Sequence, residues 1–326
     1  MDLLARLLEN FHANVGDAVF IPVMAVAAIL LSLKLIPVTT DMMVNAAAGL
    51  AGEHLGRQYR TLVINCSTNN PEVATMIVSL FMVTGVKRFG GIGTPLGSNF
   101  ANIYLIFAVA LGWVLLRMWL ANRAVFVSLI LLLKKERKLL VWHFGVSFAM
   151  FVIACFAFRL LTGQFPIGAN ENAAPAVAPS AGKLIMSGLM CIAGVTGFVL
   201  MDRQLRRQRP ELFEDIDEEA HVASWKDFVI GTVGLIFGCY LINVMFLVTT
   251  DIYEGTLSTV LGPAVFAVLH YFLGALVTSL PEMNVAISNY RRIEPADLNT
   301  ALSSASASNM SNLAIAALGC LIALFI

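Results

Sequence analysis

Two stretches of this chain carry the same polar residues at a constant offset of 210 positions. Val38-Thr39-Thr40-Asp41 returns as Val248-Thr249-Thr250-Asp251. Thr68, Pro71 and Glu72 return as Thr278, Pro281 and Glu282, and Ser98, Asn99 and Asn102 return as Ser308, Asn309 and Asn312. No gap is needed between the first match and the last. Such a duplication restricts the fold to architectures built from two related halves. The repeated residues are polar or charged yet lie in hydrophobic stretches, where such groups are costly and mark functional sites by default. In so apolar a chain the duplication points to a transporter.

Of the 326 residues, 58% are hydrophobic and 13% are charged, against about 25% charged in a soluble domain. The expectation is an all-α, multi-pass integral membrane protein, in a plasma or bacterial inner membrane. The 21 basic and 21 acidic residues cancel, so charge suggests no nucleic-acid partner, and the lipid bilayer is the surroundings to plan for. Cys66, Cys155, Cys191, Cys239 and Cys320 are scattered without metal-type spacing and read as small packing residues. No resident cofactor and no enzymatic constellation are expected. Residues 1–14 lack the basic start, short apolar core and cleavage site of a signal peptide.

A membrane-spanning helix needs about 20 apolar residues. Eight stretches qualify: 16–37, 60–86, 95–121, 139–161, 182–202, 227–250, 262–289 and 301–326. Residues 126–133 are too short and are placed near the surface. Residues 16–121 form the first repeat (spans one to three) and 227–326 the second (spans six to eight). Residues 122–202 hold spans four and five, and 203–226 is a solvated linker containing the acidic run Glu214-Asp215-Ile216-Asp217-Glu218-Glu219, with a regulatory cation site as the alternative reading. Basic clusters at 134–138, at Arg203, Arg206, Arg207 and Arg209, and at Arg291-Arg292 place three loops on the cytoplasmic side. Lys87-Arg88 is the one violation. Span two and span seven are an odd number of crossings apart, so the two repeats are predicted to run in opposite directions, as in inverted-topology transporters.

Span two holds Thr68 and Glu72 on one helix face. Pro71 between them has no N–H, so the helix opens and frees the carbonyl at position 67. Ser67, Asn69 and Asn70 surround this break, and span seven repeats it with Thr278, Ser279, Pro281 and Glu282. In spans three and eight, Ser98 with Asn102 and Ser308 with Asn312 form i,i+4 stripes flanked by Gly93, Gly97, Ala101, Ala301, Ala305 and Ala307, small residues that let helices approach closely. One Pro–Glu pair would read as a kink with a helix-end charge, and one serine stripe as packing. Two copies at fixed offset read as a site. The shell is all oxygen, without Cys or His, which suits hard cations such as calcium. His12, His54, His143, His221 and His270 are isolated and unmatched. Asp41 and Asp251, at the membrane edge, read as helix caps or solvated groups.

Thr278-Ser279-Leu280-Pro281-Glu282 resembles the signature of the cation/calcium exchanger superfamily, the sodium/calcium exchangers and their prokaryotic relatives. Gly97-Ser98-Asn99-Phe100-Ala101-Asn102 and Ala307-Ser308-Asn309-Met310-Ser311-Asn312 resemble the matching parts of that family's two repeats. The resemblance implies that Glu72 and Glu282 are central ligands shared by Na+ and Ca2+. Thr68, Thr278, Ser279, Asn69, Ser98, Ser308, Asn102 and Asn312 would complete the flanking sites, and spans one and six would slide. Asn69 and Asn70 stand where the family usually has Ser and Leu, and some relatives have Asp where Asn312 stands. Family members commonly have ten spans, so either the last helix pair is expected to be missing here, with a homo-oligomer or partner helices in its place, or the chain is a truncated form.

These readings predict secondary active antiport. Two carboxylates close together in a low dielectric resist being charged and empty, so a bare carrier should not reorient. One Ca2+ cancels both charges, as do two Na+. Proton/calcium exchange on the same residues is the alternative, and a transport-inactive scaffold a third reading.

Overall fold

The computed structural model describes residues 2–56, 59–82, 85–165, 177–213, 223–261 and 279–326. All regular structure among them is helical: α1 Asp2–Val15, α2 Asp17–Leu30, α3 Ile36–His54, α4 Arg60–Ser67, α5 Asn70–Met82, α6 Gly90–Tyr104, α7 Leu111–Ala121, α8 Arg123–Lys135, α9 Arg137–Thr162, α10 Ala181–Gln208, α11 Trp225–Leu261, α12 Leu280–Tyr290 and α13 Pro295–Ala323. Wider π-turns at Leu31–Leu35 and Leu105–Ala110 join α2 to α3 and α6 to α7 without a break. Local chemistry sets several ends. The Asn122 side chain accepts from the backbone N–H groups of Ala124 and Val125 and starts α8. Gly163, at φ 81°, takes the left-handed conformation that stops α9.

Among the described residues, six helices are long and apolar enough to cross a membrane: Asp17–His54, Gly90–Ala121, Arg137–Thr162, Ala181–Gln208, Trp225–Leu257 and Pro295–Ala323. The protein is a multi-pass integral membrane protein. Predicted span two is not a single helix. It is split into the 8-residue α4 and the 13-residue α5, neither long enough alone. Of predicted span seven only α12 is described, and 262–278 lie outside the described residues.

The most apolar span is the least enclosed. The Asp17–His54 window has a mean hydropathy of 2.5 and is 11% buried, whereas the Pro295–Ala323 window has a mean of 1.3 and is 61% buried. Lipid tails accept Leu and Val side chains readily, while Ser and Asn require protein partners. The small, polar α13 therefore lies in the middle. It packs on α9, α10 and α6, and the main apolar cluster around it includes Met76, Ile92, Leu96, Phe158, Leu313 and Ala316. On the other side α3 and α11 pair closely. A Cβ on Gly231 would lie 2.6 Å from the Met43 backbone nitrogen, and one on Gly234 would lie 2.6 Å from Thr39 Cγ2.

Three sequence expectations change. Spans one and six run well past 37 and 250, so Asp41 lies inside α3 and Asp251 inside α11. Neither caps a helix. Asp41 is exposed and accepts from Asn284 Nδ2 at 3.3 Å. Next, the start of the 203–226 linker is ordered structure. α10 continues to Gln208, Arg209 forks onto the buried Glu136 at 3.2 Å, and Leu212, 1% exposed, inserts among Tyr290, Leu298 and Leu139. A fork on a carboxylate together with a buried leucine outweighs the chain's charge. Residues 214–222, the acidic run included, lie outside the described residues. Finally, His143 is not isolated: it is buried, with Nδ1 2.8 Å from Ser306 Oγ and Nε2 3.0 Å from Asn299 Oδ1.

Candidate cation site

The break predicted at Pro71 is present. α4 ends at Ser67, a turn covers Thr68 and Asn69, and α5 starts at Asn70. Pro71 cannot donate to the Ser67 carbonyl, so the helix cannot run through. The turn is held locally, with Asn69 N–H on the Cys66 carbonyl at 3.3 Å and the Thr68 hydroxyl on the Asn65 carbonyl at 2.8 Å. The first turn of α5 then carries Glu72, as the first turn of α12 carries Glu282, each just after a proline at the start of its helix. The positive end of a helix dipole favours a carboxylate there.

Both acids are 1% exposed. Ser98 Oγ donates to Glu72 Oε1 over a long 3.5 Å, and Ser308 Oγ donates to Glu282 Oε1 at 3.3 Å. In both pairs the serine follows its glutamate by 26 residues. The two pairs interlock. Ser98 Oγ lies 3.2 Å from Ser279 Oγ, and Ser308 Oγ lies 2.9 Å from Asn69 Oδ1. Each serine thus touches its own glutamate and the helix break of the other half. The Thr68 side chain also stands against Glu282. Asn102 Nδ2 donates to Ser308 Oγ at 2.8 Å and to Asn309 Oδ1 at 3.0 Å.

Of the ten residues proposed from sequence, Glu72, Glu282, Thr68, Asn69, Ser279, Ser98, Ser308, Asn102 and Asn312 are all buried. The contacts above gather the first eight into two groups, Glu72 with Ser98 and Ser279, and Glu282 with Ser308, Asn69, Asn102 and Thr68. Asn312 is fully buried, and neither of its amide atoms has a partner among the described residues. Thr278 lies outside the described residues. Among the described residues Glu282 Oε2 and Asn102 Oδ1 likewise meet no donor. Buried oxygens without donors are rare and call for an explanation.

Sequence reading did not single out Asn65, which lies four residues before Asn69 on the same face. Its Nδ2 donates to Ser303 Oγ at 2.6 Å, and its Oδ1 accepts from Ser304 Oγ at 3.0 Å. The i,i+4 spacing was the available signal. Asn309 was recognised as repeated but given no role. Asn70 reaches outward to the α3–α11 pair, donating to Thr232 Oγ1 at 3.2 Å.

No protein-family model matches this sequence, and no curated protein matches it significantly. Solved structures of the sodium-calcium exchanger NCX_Mj are similar to it. One, soaked with 100 mM Na+ and 10 mM Sr2+, is 18% identical over 91% of this chain and 82% of that one, with a TM-score of 0.44. Another, soaked with zero Na+ and Ca2+, is 20% identical over 93% and 83%, with a TM-score of 0.43.

Proposed function

We propose that this chain is a secondary active cation antiporter that exchanges Na+ for Ca2+ by alternating access. The observation that carries the reading is the interlocked pair of buried glutamates, with carboxylate and amide oxygens left over for a ligand. An oxygen shell of two acids, hydroxyls and amides suits Ca2+, which takes six to eight oxygens. The same shell can hold two Na+ against the same two charges. An empty site leaves both carboxylates desolvated, which opposes any rearrangement that seals them further from water. A filled site removes that penalty, so the filled carrier switches and the bare one does not.

In this reading α4–α5 and α12 belong to the broken core helices of two oppositely directed repeats in an eight-span protein. The α3–α11 pair is the element that slides. The test is 45Ca2+ uptake into proteoliposomes at fixed pH, with and without an outward Na+ gradient. Uptake that appears only with the Na+ gradient supports the proposal. Uptake driven by a proton gradient alone would assign the coupling to protons. Absence of uptake under both gradients would refute antiport.

A further inference from the structure

We propose that Asn309 is a positioning residue that sets the Asn102 amide with its oxygen available to cargo, and that the corresponding residue of the other half does not do this. The inference rests on the antiport reading and goes beyond it: the two flanking cation positions are unequal, and a helix outside both repeats makes them so.

Polarity runs inward from α9. The backbone carbonyl of Ser147 can only accept. Asn309 Nδ2 lies 3.2 Å from it and must donate. That turns Asn309 Oδ1 toward Asn102, so the amide of Asn102 must present Nδ2, at 3.0 Å. The same Nδ2 also donates to Ser308 Oγ at 2.8 Å, which sends the Ser308 proton toward Asn69 Oδ1 and Glu282 Oε1. A carbonyl that cannot change roles therefore fixes two amides and a hydroxyl in sequence. What remains is Asn102 Oδ1, fully buried and without a donor among the described residues. A cation satisfies such an atom, and a flipped amide would oppose one.

The other half differs. Asn99, the counterpart of Asn309, turns back on its own helix, with Nδ2 3.2 Å from the Pro95 carbonyl and 3.4 Å from that of Leu96. Its Oδ1 has no partner among the described residues, and neither amide atom of Asn312, the counterpart of Asn102, has one either. Among the described residues no chain of bonds selects an orientation for Asn312. The Asn102 position is preorganised for a cation, and the Asn312 position must be ordered on binding.

The Asn102 oxygen belongs to a flanking position, which Na+ fills in the antiport reading, whereas calcium sits centrally between the two carboxylates. The experiment measures half-saturation for Na+ and for 45Ca2+ in proteoliposomes of the wild type, Asn309→Ala and Asn99→Ala. Asn309→Ala should raise the Na+ value about five- to tenfold, the equivalent of one lost hydrogen bond, with the Ca2+ value within about twofold. Asn99→Ala should move neither. Equal shifts for both ions, no shift, or the same shift in Asn99→Ala would overturn the inference. If Asn309→Ala does not give a monodisperse carrier, Asn309→Ser is read by the same criteria. A wild type without Na+-dependent uptake would refute the antiport reading itself, a result distinct from these.

Discussion

Replacing Glu282 by Gln keeps the shape of the side chain and removes one charge. The carboxylate is 1% exposed, accepts from Ser308 through Oε1 and keeps Oε2 without a donor among the described residues. At an ion–oxygen distance of about 2.4 Å and an effective dielectric near 20, one full charge contributes roughly 7 kcal/mol per unit charge of cargo, so roughly 14 kcal/mol for calcium. Even if the amide dipole and local relaxation recover four-fifths of this, about 3 kcal/mol is lost, or roughly 100-fold in calcium affinity. The empty protein should respond in the opposite sense, since an uncompensated buried charge has been removed. Calorimetry should therefore show weak or absent calcium binding, and a melting curve without cations should lie at or above that of the wild type. Glu282→Gln that binds calcium within threefold of the wild type, or melts well below it without cations, would refute the argument.

Gly231→Val should separate α3 from α11, because the new Cβ falls 2.6 Å from the Met43 backbone nitrogen; a loss of about 1–3 kcal/mol is expected in thermal unfolding, and transport should fall with it. Asn70→Leu copies Leu280, its counterpart in the second half, and removes the 3.2 Å bond to Thr232. Exchange should accelerate about fivefold, one net hydrogen bond, with half-saturation for calcium unchanged; altered affinity at unchanged rate would contradict a link to the sliding pair. Arg209, bonded to Glu211 and Glu136, holds the Glu211 carboxyl below its usual range. A depressed acid stabilises above the ordinary carboxylate range and loses that contribution as pH falls through its lowered value. The docked segment at Pro210–Phe213 should thus stay protected from proteolysis at neutral pH and open only when pH falls below the ordinary carboxylate range, whereas Arg209→Ala should open it at pH 7.

The break before Glu72 was legible because a proline in an apolar stretch has a fixed local consequence that no tertiary contact repairs. The fixed offset then allowed one half to be read from the other, which is how Ser98 and Ser308 entered the candidate set together; that each touches the glutamate 26 residues before it came from the structure. Contacts between the halves were not legible in this way. Nothing in the spacing says that Ser308 reaches Asn69, or that Asn70 bonds Thr232 on α11, since those depend on how separate helices cross. Helix ends failed for a related reason. Asp41 and Asp251 read as caps because charge usually ends a span, but a helix that emerges from lipid can continue as long as its backbone bonds are satisfied. Arg209 and Leu212 lie in a charged stretch whose composition hides a short docked segment. Ser147 contributes through a backbone carbonyl, and that signal is invisible in any side-chain pattern.

The burial of α13 has a consequence for biogenesis. A helix rich in Ser, Ala and Asn, carrying Ser303, Ser304, Ser306, Ser308, Asn309 and Asn312 on surfaces that all become enclosed, has a weak tendency to leave the translocon for bare lipid. It follows α4, α6, α9 and α10 in the chain, and those helices hold the groups that satisfy it. Stable insertion therefore waits for an assembled cradle. If the proposed cation site is right, it is completed in the same step that makes this helix a resident of the bilayer, so a chain that has not finished folding has no ion site through which to leak.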